Sequence, residues 1–184
     1  MAISKALYSH DSDEYETPQW LFNLLNNVFH FELDPCAKPQ IESQKRIKTR
    51  FVMTQDFDGL TKTWNNYSTF VNPPYSKVRK WVEKAMIEFN ERASNEKKPA
   101  PIVLLVPART DTKWFHKIAE HPYCKLLLLK GRLKFHNTKT SAPFPSCIII
   151  LSPSSYLEKL KALTMVPTFT LDLTEYADEE TEGN

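Results

Sequence analysis

The tetrapeptide Asn72-Pro73-Pro74-Tyr75 combines residue types that can activate an aromatic amine. The exocyclic amine N6 of adenine is a poor nucleophile because its lone pair is delocalised into the ring. The side-chain oxygen of Asn72 and the carbonyl of Pro73 can accept its two N–H bonds and so localise that lone pair toward an electrophile. The two prolines hold the carbonyl rigidly, and Tyr75 offers a face on which an extruded base can stack. We therefore interpret the tetrapeptide as a site for a planar amine rather than as a Pro-Pro turn with a surface tyrosine.

The segments around this tetrapeptide predict a strand before it and a helix after it. Thr69 to Val71 has the residue types of a strand, and from about Ser76 to Arg92 apolar residues recur at helical spacing. Further helices are predicted from Thr17 to Phe29 and from Thr112 to Glu120, and further strands at Phe31 to Asp34, Arg50 to Thr54, Ile102 to Val106, Lys125 to Leu129 and Cys147 to Leu151. Strands that alternate with helices predict an α/β fold with a mostly parallel sheet, whose ligands lie at the carboxyl ends of the strands.

Length and composition place the chain among soluble globular proteins. The 184 residues suit a single core, 41% of them are hydrophobic and 25% charged, and no apolar run approaches the roughly 20 residues needed to span a membrane. Met1 to Asp13 lacks the order of a signal peptide, which predicts a cytoplasmic location and no membrane partner. We divide the chain into a flexible N-terminus (residues 1–14), one domain (15–174) and an acidic tail (175–184).

Charge and potential metal ligands narrow the function classes further. The net charge of +2 is weak evidence for a nucleic-acid partner, but the carboxylates between Glu175 and Glu182 offset a more basic body. The three cysteines are far apart and odd in number, and neither they nor the five histidines show a metal-ligand spacing. We therefore expect reduced thiols and no metal.

The motifs of the chain and their order along the sequence resemble those of the compact, often phage-borne family of DNA adenine-N6 methyltransferases. The resemblance rests on Glu16 to Phe22, Phe31 to Ala37, Asp56 to Leu60, Trp64, Phe70 to Ser76, Val106 to Arg109 and Gly131 to Phe135. It implies a Rossmann-like S-adenosylmethionine-dependent methyltransferase fold, with helices on both faces of a mostly parallel central sheet. It also implies transfer of a methyl group from S-adenosylmethionine, without a metal, to N6 of a flipped-out adenine in double-stranded DNA. The setting would be the cytoplasm of a bacterium or phage-infected cell, with protection from restriction as one role.

The resemblance implies how the amino-acid end of the donor is held. Thr17 and Pro18 at a helix start would bind its carboxylate, and Asp34, followed by Pro35, would face its ammonium group. Both pairings are favourable, because a helix N-terminus attracts an anion and an aspartate attracts a cation. Thr17 is also expected to cap its helix, with Pro18 in the first turn, and Asp34 has a second interpretation as a strand-end turn residue. The family's usual glycine-rich loop is absent, because the segment Asp34 to Lys38 contains no glycine.

The other donor contacts follow from the same resemblance. Asp56 would accept a hydrogen bond from N6 of the donor's own adenine, and Phe57 would pack on that ring. Asp58 and Gly59 are expected to form an ordinary Asp-Gly turn, which leaves Asp56 free for this contact. Glu42 is the carboxylate proposed for the ribose, since no other acid lies between Ala37 and Arg50.

The DNA-facing residues are expected later in the chain. Phe135 or Phe144 would close the second face of the flipped adenine, although buried aromatic residues are more often part of a core. Several basic residues are placed in loops at the same sheet edge, where they would hold phosphates while the base is flipped. They are Arg109, Lys113, Arg132, Lys134 and Lys139.

Four alternatives stay open from the sequence. The same tetrapeptide occurs in enzymes that methylate a glutamine amide of release factors, although those resemble this chain less because they carry a glycine-rich donor loop and an extra helical domain. RNA adenine and cytosine N4 are nearer alternatives, with the asparagine at position 72 favouring adenine, since cytosine enzymes usually begin the motif with serine. A non-catalytic DNA-binding relative would bind DNA without transferring methyl groups.

Overall fold

The computed structural model describes residues 15–36, 51–52, 58–136, 138–153, 156 and 170–172, with the backbone alone at 51–52 and 170–172. The helices are α1 (Gln19–Phe29), α2 (Val78–Asn95) and α3 (Lys113–Ala119), and a 3-10 turn (Tyr75–Lys77) precedes α2. The strands are β1 (Leu33–Asp34), β2 (Phe51–Val52), β3 (Thr69–Val71), β4 (Ile102–Pro107), β5 (Cys124–Lys130), β6 (Ser146–Leu151) and β7 (Thr170–Asp172). The expectations for residues 1–14 and 175–184 and for Glu42, Asp56 and Phe57 lie outside the described residues.

The seven strands form one mostly parallel sheet, as the alternation of strands and helices predicted. Their order is β2-β1-β3-β4-β6-β5-β7, and only β6 runs antiparallel to its neighbours β4 and β5. β1 has β2 on one side and β3 on the other, both parallel to it. The strand order therefore reverses beside β1. In open α/β sheets, ligands bind in the crevice at such a switch point.

Helices cover both faces of the sheet, which confirms the layer prediction. Alternate residues of β4 point to opposite faces, so Val103 and Leu105 pack with α1, whereas Leu104 and Val106 pack with α2 and α3. Both sets are fully buried. None of the described helices is both long enough and apolar enough to cross a membrane.

The start of α1 differs from the prediction. Pro18, with φ −58° and ψ 138°, occupies the N-cap position, and no side chain of the described residues caps the helix. The Phe22 N–H donates to the Pro18 carbonyl at 3.1 Å, so the helix begins after the proline rather than at Thr17. The Thr17 hydroxyl instead accepts a hydrogen bond from the Asn72 side chain at 3.0 Å. The expected Thr17 cap was wrong because a distant partner takes this hydroxyl.

Helix α2 buries the face that its periodicity predicted, and it also buries two charged residues that periodicity did not predict. The predicted face consists of Val78, Trp81, Val82, Ala85 and Phe89, all of which are buried. The unpredicted residues, Glu88 and Arg92, are 3% and 4% exposed. Their burial requires polar partners from elsewhere in the fold.

Those partners come from the loop between β2 and β3, from the first residue of β3 and from α2 itself. Glu88 accepts a hydrogen bond from the Trp64 N–H at 2.8 Å and forms an ion pair with Lys84. Arg92 donates to the Trp64 carbonyl at 3.3 Å and to the Thr69 hydroxyl at 3.1 Å. Burial lowers the pKa of Arg92 to about 10, an effect that the Glu88 carboxylate opposes. This network fastens the loop and the start of β3 to α2, and so fixes the strand that carries the tetrapeptide.

Candidate active site

The tetrapeptide lies at the switch point, where several strand ends meet. β1 ends at Asp34, and Asn72 follows the end of the neighbouring parallel strand β3. Arg109 follows β4, and the β5–β6 loop, residues 131–145, follows β5. Because β1, β3, β4 and β5 all run in one direction, these segments share the carboxyl edge of the sheet. The predicted edge is therefore confirmed for the described residues.

The amide of Asn72 is held in one orientation. Its nitrogen Nδ2 donates to the Tyr15 carbonyl and, at 3.0 Å, to the Thr17 hydroxyl. A backbone carbonyl can only accept, so the nitrogen and not the oxygen of the amide must face Tyr15. The amide oxygen Oδ1 is buried and has no hydrogen-bond partner among the described residues. Leaving a buried acceptor unpaired costs about 1–3 kcal/mol, so this oxygen is suited to receive a donor from a ligand.

Four aromatic side chains, Tyr15, Tyr75, Phe135 and Phe144, form an aromatic cluster next to Asn72. The ring of Tyr75 is stacked with that of Tyr15, with centroids 5.1 Å apart and planes 25° apart. Phe144 meets Tyr75 edge-on at 5.3 Å, and Phe135 meets it edge-on at 6.2 Å. Phe135 is fully buried in the core on the α1 face, as its core interpretation predicted, whereas Phe144 is half-buried.

The ring of Tyr15 fills the space in front of Tyr75. Stacked rings lie about 3.5 Å apart, so two rings that sandwich a base need about 7 Å between them. The 5.1 Å between the Tyr15 and Tyr75 centroids is too short for this. A base that stacks on this face of Tyr75 must therefore displace the Tyr15 ring.

The Tyr75 side chain is a neutral phenol with a buried hydroxyl. Its hydroxyl is buried without a hydrogen-bond partner among the described residues. Burial raises the pKa of Tyr75 well above its usual value, and the neighbouring Cys147 and Tyr15 raise it further. The phenol consequently stays neutral over the pH range in which the protein would work.

The segment from Tyr15 to Pro18 is anchored on two sides. The Glu16 carbonyl accepts a hydrogen bond from the His136 N–H at 3.0 Å, which joins the segment to the β5–β6 loop. Tyr15 and Thr17 bond to Asn72 on the other side. Sequence reasoning missed Tyr15, although an aromatic residue directly before Glu-Thr-Pro was a signal that could have drawn attention to it.

Asp34 is a buried carboxylate at the end of β1, 5% exposed. Its Oδ1 accepts a hydrogen bond from the Cys36 N–H at 2.9 Å, so it also makes the strand-end turn that was its alternative interpretation. The pKa of the Cys36 thiol is raised well above its usual value, first by burial and then by the Asp34 charge. A turn contact to one oxygen is compatible with binding a cation, because a carboxylate offers several acceptor positions.

The Asp-Gly turn after the second strand forms as predicted and packs against β1. Asp58 Oδ1 accepts a hydrogen bond from the Leu60 N–H at 3.0 Å. A Cβ atom at Gly59 would lie 2.4 Å from the Pro35 carbonyl oxygen, so only glycine fits there. The turn therefore brings residues 58–60 against the end of β1.

The groups at this edge fit the amino-acid end of S-adenosylmethionine in their chemistry. The N-terminus of α1 has no side-chain cap among the described residues and favours a carboxylate, and the buried Asp34 favours an ammonium group. In the described part of the chain no group of three metal-ligating side chains occurs. The proposed contacts of Glu42, Asp56 and Phe57 lie outside the described residues.

The basic residues expected at this edge are exposed. Each of them follows the end of a parallel strand: one lies between β4 and α3, one is the first residue of α3, and three lie in the β5–β6 loop. They are Arg109, Lys113, Arg132, Lys134 and Lys139. Exposed positive charge thus lies in the segments that follow the carboxyl ends of β4 and β5.

Comparison with known proteins gives two findings for the chain. Residues 4–167 match the family model described as DNA N-6-adenine-methyltransferase (Dam). A relative from Haemophilus phage HP1 (strain HP1c1), named DNA N-6-adenine-methyltransferase, is 25% identical over 159 residues, which cover 83% of this chain and 86% of the relative. Both matches are long enough to include most of the segments that meet at the carboxyl edge.

Proposed function

The chain belongs to the DNA N-6-adenine-methyltransferase (Dam) family, and from this we propose how its carboxyl edge performs the reaction. The protein is an adenine-specific DNA methyltransferase. In our proposal, Asn72-Pro73-Pro74-Tyr75 receives an adenine turned out of double-stranded DNA, and S-adenosylmethionine is the methyl donor. The sheet order, which reverses beside β1, supports a Rossmann-like methyltransferase fold for the whole chain.

The observation that carries the proposal is the buried, unpaired Oδ1 of Asn72. Adenine N6 has two N–H bonds, and Oδ1 and the Pro73 carbonyl would accept one each. Both contacts pull electron density onto N6 and localise its lone pair. S-adenosylmethionine supplies a methyl group bound to a positively charged sulfur. The oriented N6 lone pair would take this methyl group as its bond to sulfur breaks. The sulfur would keep the bonding electrons and become a neutral thioether, and the methylated N6 would release one proton to solvent.

The aromatic cluster would hold the extruded base. Turning a base out of a duplex costs about a few kcal/mol. Stacking on an aromatic side chain returns roughly 1–3 kcal/mol per base, which makes Tyr75 the main contributor. Phe144 and Phe135 would border the stacked base, since both meet the Tyr75 ring edge-on. Tyr15 must leave the space that it fills.

The donor would bind between β1 and α1. We propose that Thr17 and Pro18, at the start of α1, receive its carboxylate, and that Asp34, fixed by Pro35, faces its ammonium group. Glu42, Asp56 and Phe57 are proposed for its ribose and adenine from the family resemblance. DNA phosphates would contact Arg109, Arg132 and Lys134, whose side chains are exposed at the same edge.

The test is methylation of unmethylated double-stranded DNA with tritiated S-adenosylmethionine, followed by nucleoside analysis. We expect label in N6-methyladenine. Asn72→Ala should lower kcat by about 100- to 1000-fold, because it removes an acceptor that acts in the transition state. Donor binding and the melting temperature should change little.

The matched control is Asn27→Ala, which removes the same side chain from an exposed position of α1. This variant should keep wild-type activity. Label in cytosine, in RNA or in a protein glutamine would move the substrate to the corresponding alternative. DNA binding without label in any substrate would identify a non-catalytic relative, and wild-type activity of Asn72→Ala would refute the role of the amide.

A further inference from the structure

We propose that Thr17 is a positioning residue for Asn72: its hydroxyl, together with the Tyr15 carbonyl, fixes the amide so that Oδ1 faces the adenine. This inference rests on the proposed function of the tetrapeptide and adds a role to Thr17 beyond contact with the donor. The observation behind it is the pair of hydrogen bonds from Nδ2 to Tyr15 and Thr17.

An asparagine needs such a lock because its amide is nearly symmetric in shape. Rotation by half a turn exchanges the oxygen and the NH2 group with almost no change in the volume occupied. In the wrong orientation, two N–H donors would face the adenine amine, which is itself a donor. The same rotation would set Oδ1 against the Tyr15 carbonyl, oxygen to oxygen. Activation of N6 therefore depends on the groups behind the amide as well as on the amide.

Thr17 is well placed to serve as the lock. It is 7% exposed, and its hydroxyl is the only side-chain acceptor that Nδ2 meets among the described residues. Pro18 restricts the backbone after it, and the bond from His136 to the Glu16 carbonyl fixes the backbone before it. A hydroxyl that accepts one hydrogen bond can still donate its own proton. A contact to the donor carboxylate is thus compatible with the positioning role.

The first experiment compares Thr17→Val with Thr17→Ser. Valine keeps the shape of threonine but removes the acceptor, and serine keeps the acceptor but removes the methyl group. With DNA and donor both saturating, we expect Thr17→Val to lower kcat by about 3- to 10-fold, the equivalent of one net hydrogen bond. Thr17→Ser should stay closer to wild type. Because valine also removes the hydroxyl proposed for the donor carboxylate, the donor Kd is measured separately by titration calorimetry, and the loss of kcat at saturating donor should persist whatever the change in that Kd.

A second measurement needs no activity. In a 15N NMR spectrum, the two side-chain N–H resonances of Asn72, assigned by their loss in Asn72→Asp, should exchange slowly with solvent because both protons are bonded. Thr17→Val should speed the exchange of one of them, and Thr17→Ser should restore the slow rate. This readout holds even if the DNA assay fails, so the inference and the proposed function can fail separately.

The outcomes are distinguishable. A Thr17→Val defect confined to the donor Kd, and absent at saturating donor, would make Thr17 a donor ligand and overturn the positioning role. Equal losses in the valine and serine variants, with unchanged N–H exchange, would mean that packing of the methyl group matters instead. The proposal would be supported if Thr17→Val loses turnover, Thr17→Ser keeps it, and N–H exchange becomes faster in Thr17→Val alone.

Discussion

At the scale of single residues, two tyrosines of the site have different tasks. Tyr75 presents a ring whose hydroxyl has no hydrogen-bond partner among the described residues. Tyr15 contributes a backbone carbonyl to Asn72 and a ring that covers the face of Tyr75 on which we propose that the base stacks. Because the carbonyl belongs to the backbone, a substitution of Tyr15 removes the ring and leaves the contact to Asn72 intact. The two functions of this residue can therefore be tested apart.

Replacing Tyr15 with alanine should ease entry of the base. The space in front of Tyr75 would be open before DNA binds, so no ring has to be displaced, and we expect the KM for DNA to fall while kcat changes less than twofold. The measurement is steady-state methylation, together with the fluorescence of 2-aminopurine placed at the mapped target adenine, which rises when that base leaves the stack.

The control for this prediction is Tyr75→Ala, which should weaken DNA binding and turnover because it removes the stacking surface, at roughly 1–3 kcal/mol. A higher KM and weaker fluorescence in Tyr15→Ala would show that Tyr15 is a second wall of the base site. In that case its ring would move but stay in contact with the base.

At the scale of elements, the sequence predicted the features that follow from local patterns of apolar residues. It missed the features that depend on contacts between residues remote in sequence. The bounds of β3, and the buried face of α2, follow from runs of apolar side chains and were confirmed. Thr17 was wrongly expected to cap α1, because the pattern near a helix start cannot reveal the competing side chain of Asn72. Glu88 and Arg92 are buried for the same kind of reason, since their partners lie in another loop. The strand β7 was not predicted, although Phe169, Leu171 and Leu173 alternate with polar residues in the sequence, as is typical of a half-buried strand.

The C-terminal end of α1 allows a test of backbone strain. His30 has φ 50°, in the left-handed region, and its N–H donates to the Asn26 carbonyl at 2.9 Å. A side chain in this conformation costs roughly 1–2 kcal/mol that glycine avoids, although glycine loses more freedom on folding. We expect His30→Gly to raise the free energy of unfolding by about 0.5–1 kcal/mol, or the melting temperature by roughly 1–4 °C.

The comparison variant for this position is His30→Ala, which removes the same exposed side chain but keeps the Cβ atom. It should give no gain in thermal or urea unfolding. If alanine stabilised the protein as much as glycine, the gain would come from loss of the imidazole and not from relief of the backbone.

At the scale of the whole molecule, the sheet gathers residues that are remote in sequence. Asn72 bonds to a residue 57 positions earlier. The rings of Phe135 and Phe144, which contact that of Tyr75, come from beyond β5. The rule that ligands meet the carboxyl ends of parallel strands predicted this shared edge. It could not predict which side chains pair there, because pairing depends on how the segment at Tyr15 crosses the edge. The same rule predicts that lysines and arginines at the carboxyl edge contact DNA more than those at the opposite edge do.

Lysines and arginines at the carboxyl edge should dominate the salt dependence of DNA binding. Each phosphate contact that is lost lowers the slope of log K against log salt concentration by about 0.9. Replacing both Arg132 and Lys139 with glutamine should therefore reduce the slope by about 1.8 in fluorescence-anisotropy titrations. The matched control replaces Lys97 and Lys98, which precede β4 and so lie at the opposite edge of the sheet. The control removes the same net charge. An equal fall in slope for both variants would therefore mean that DNA binding depends on the net charge of the protein and is not localised at the edge that carries Asn72.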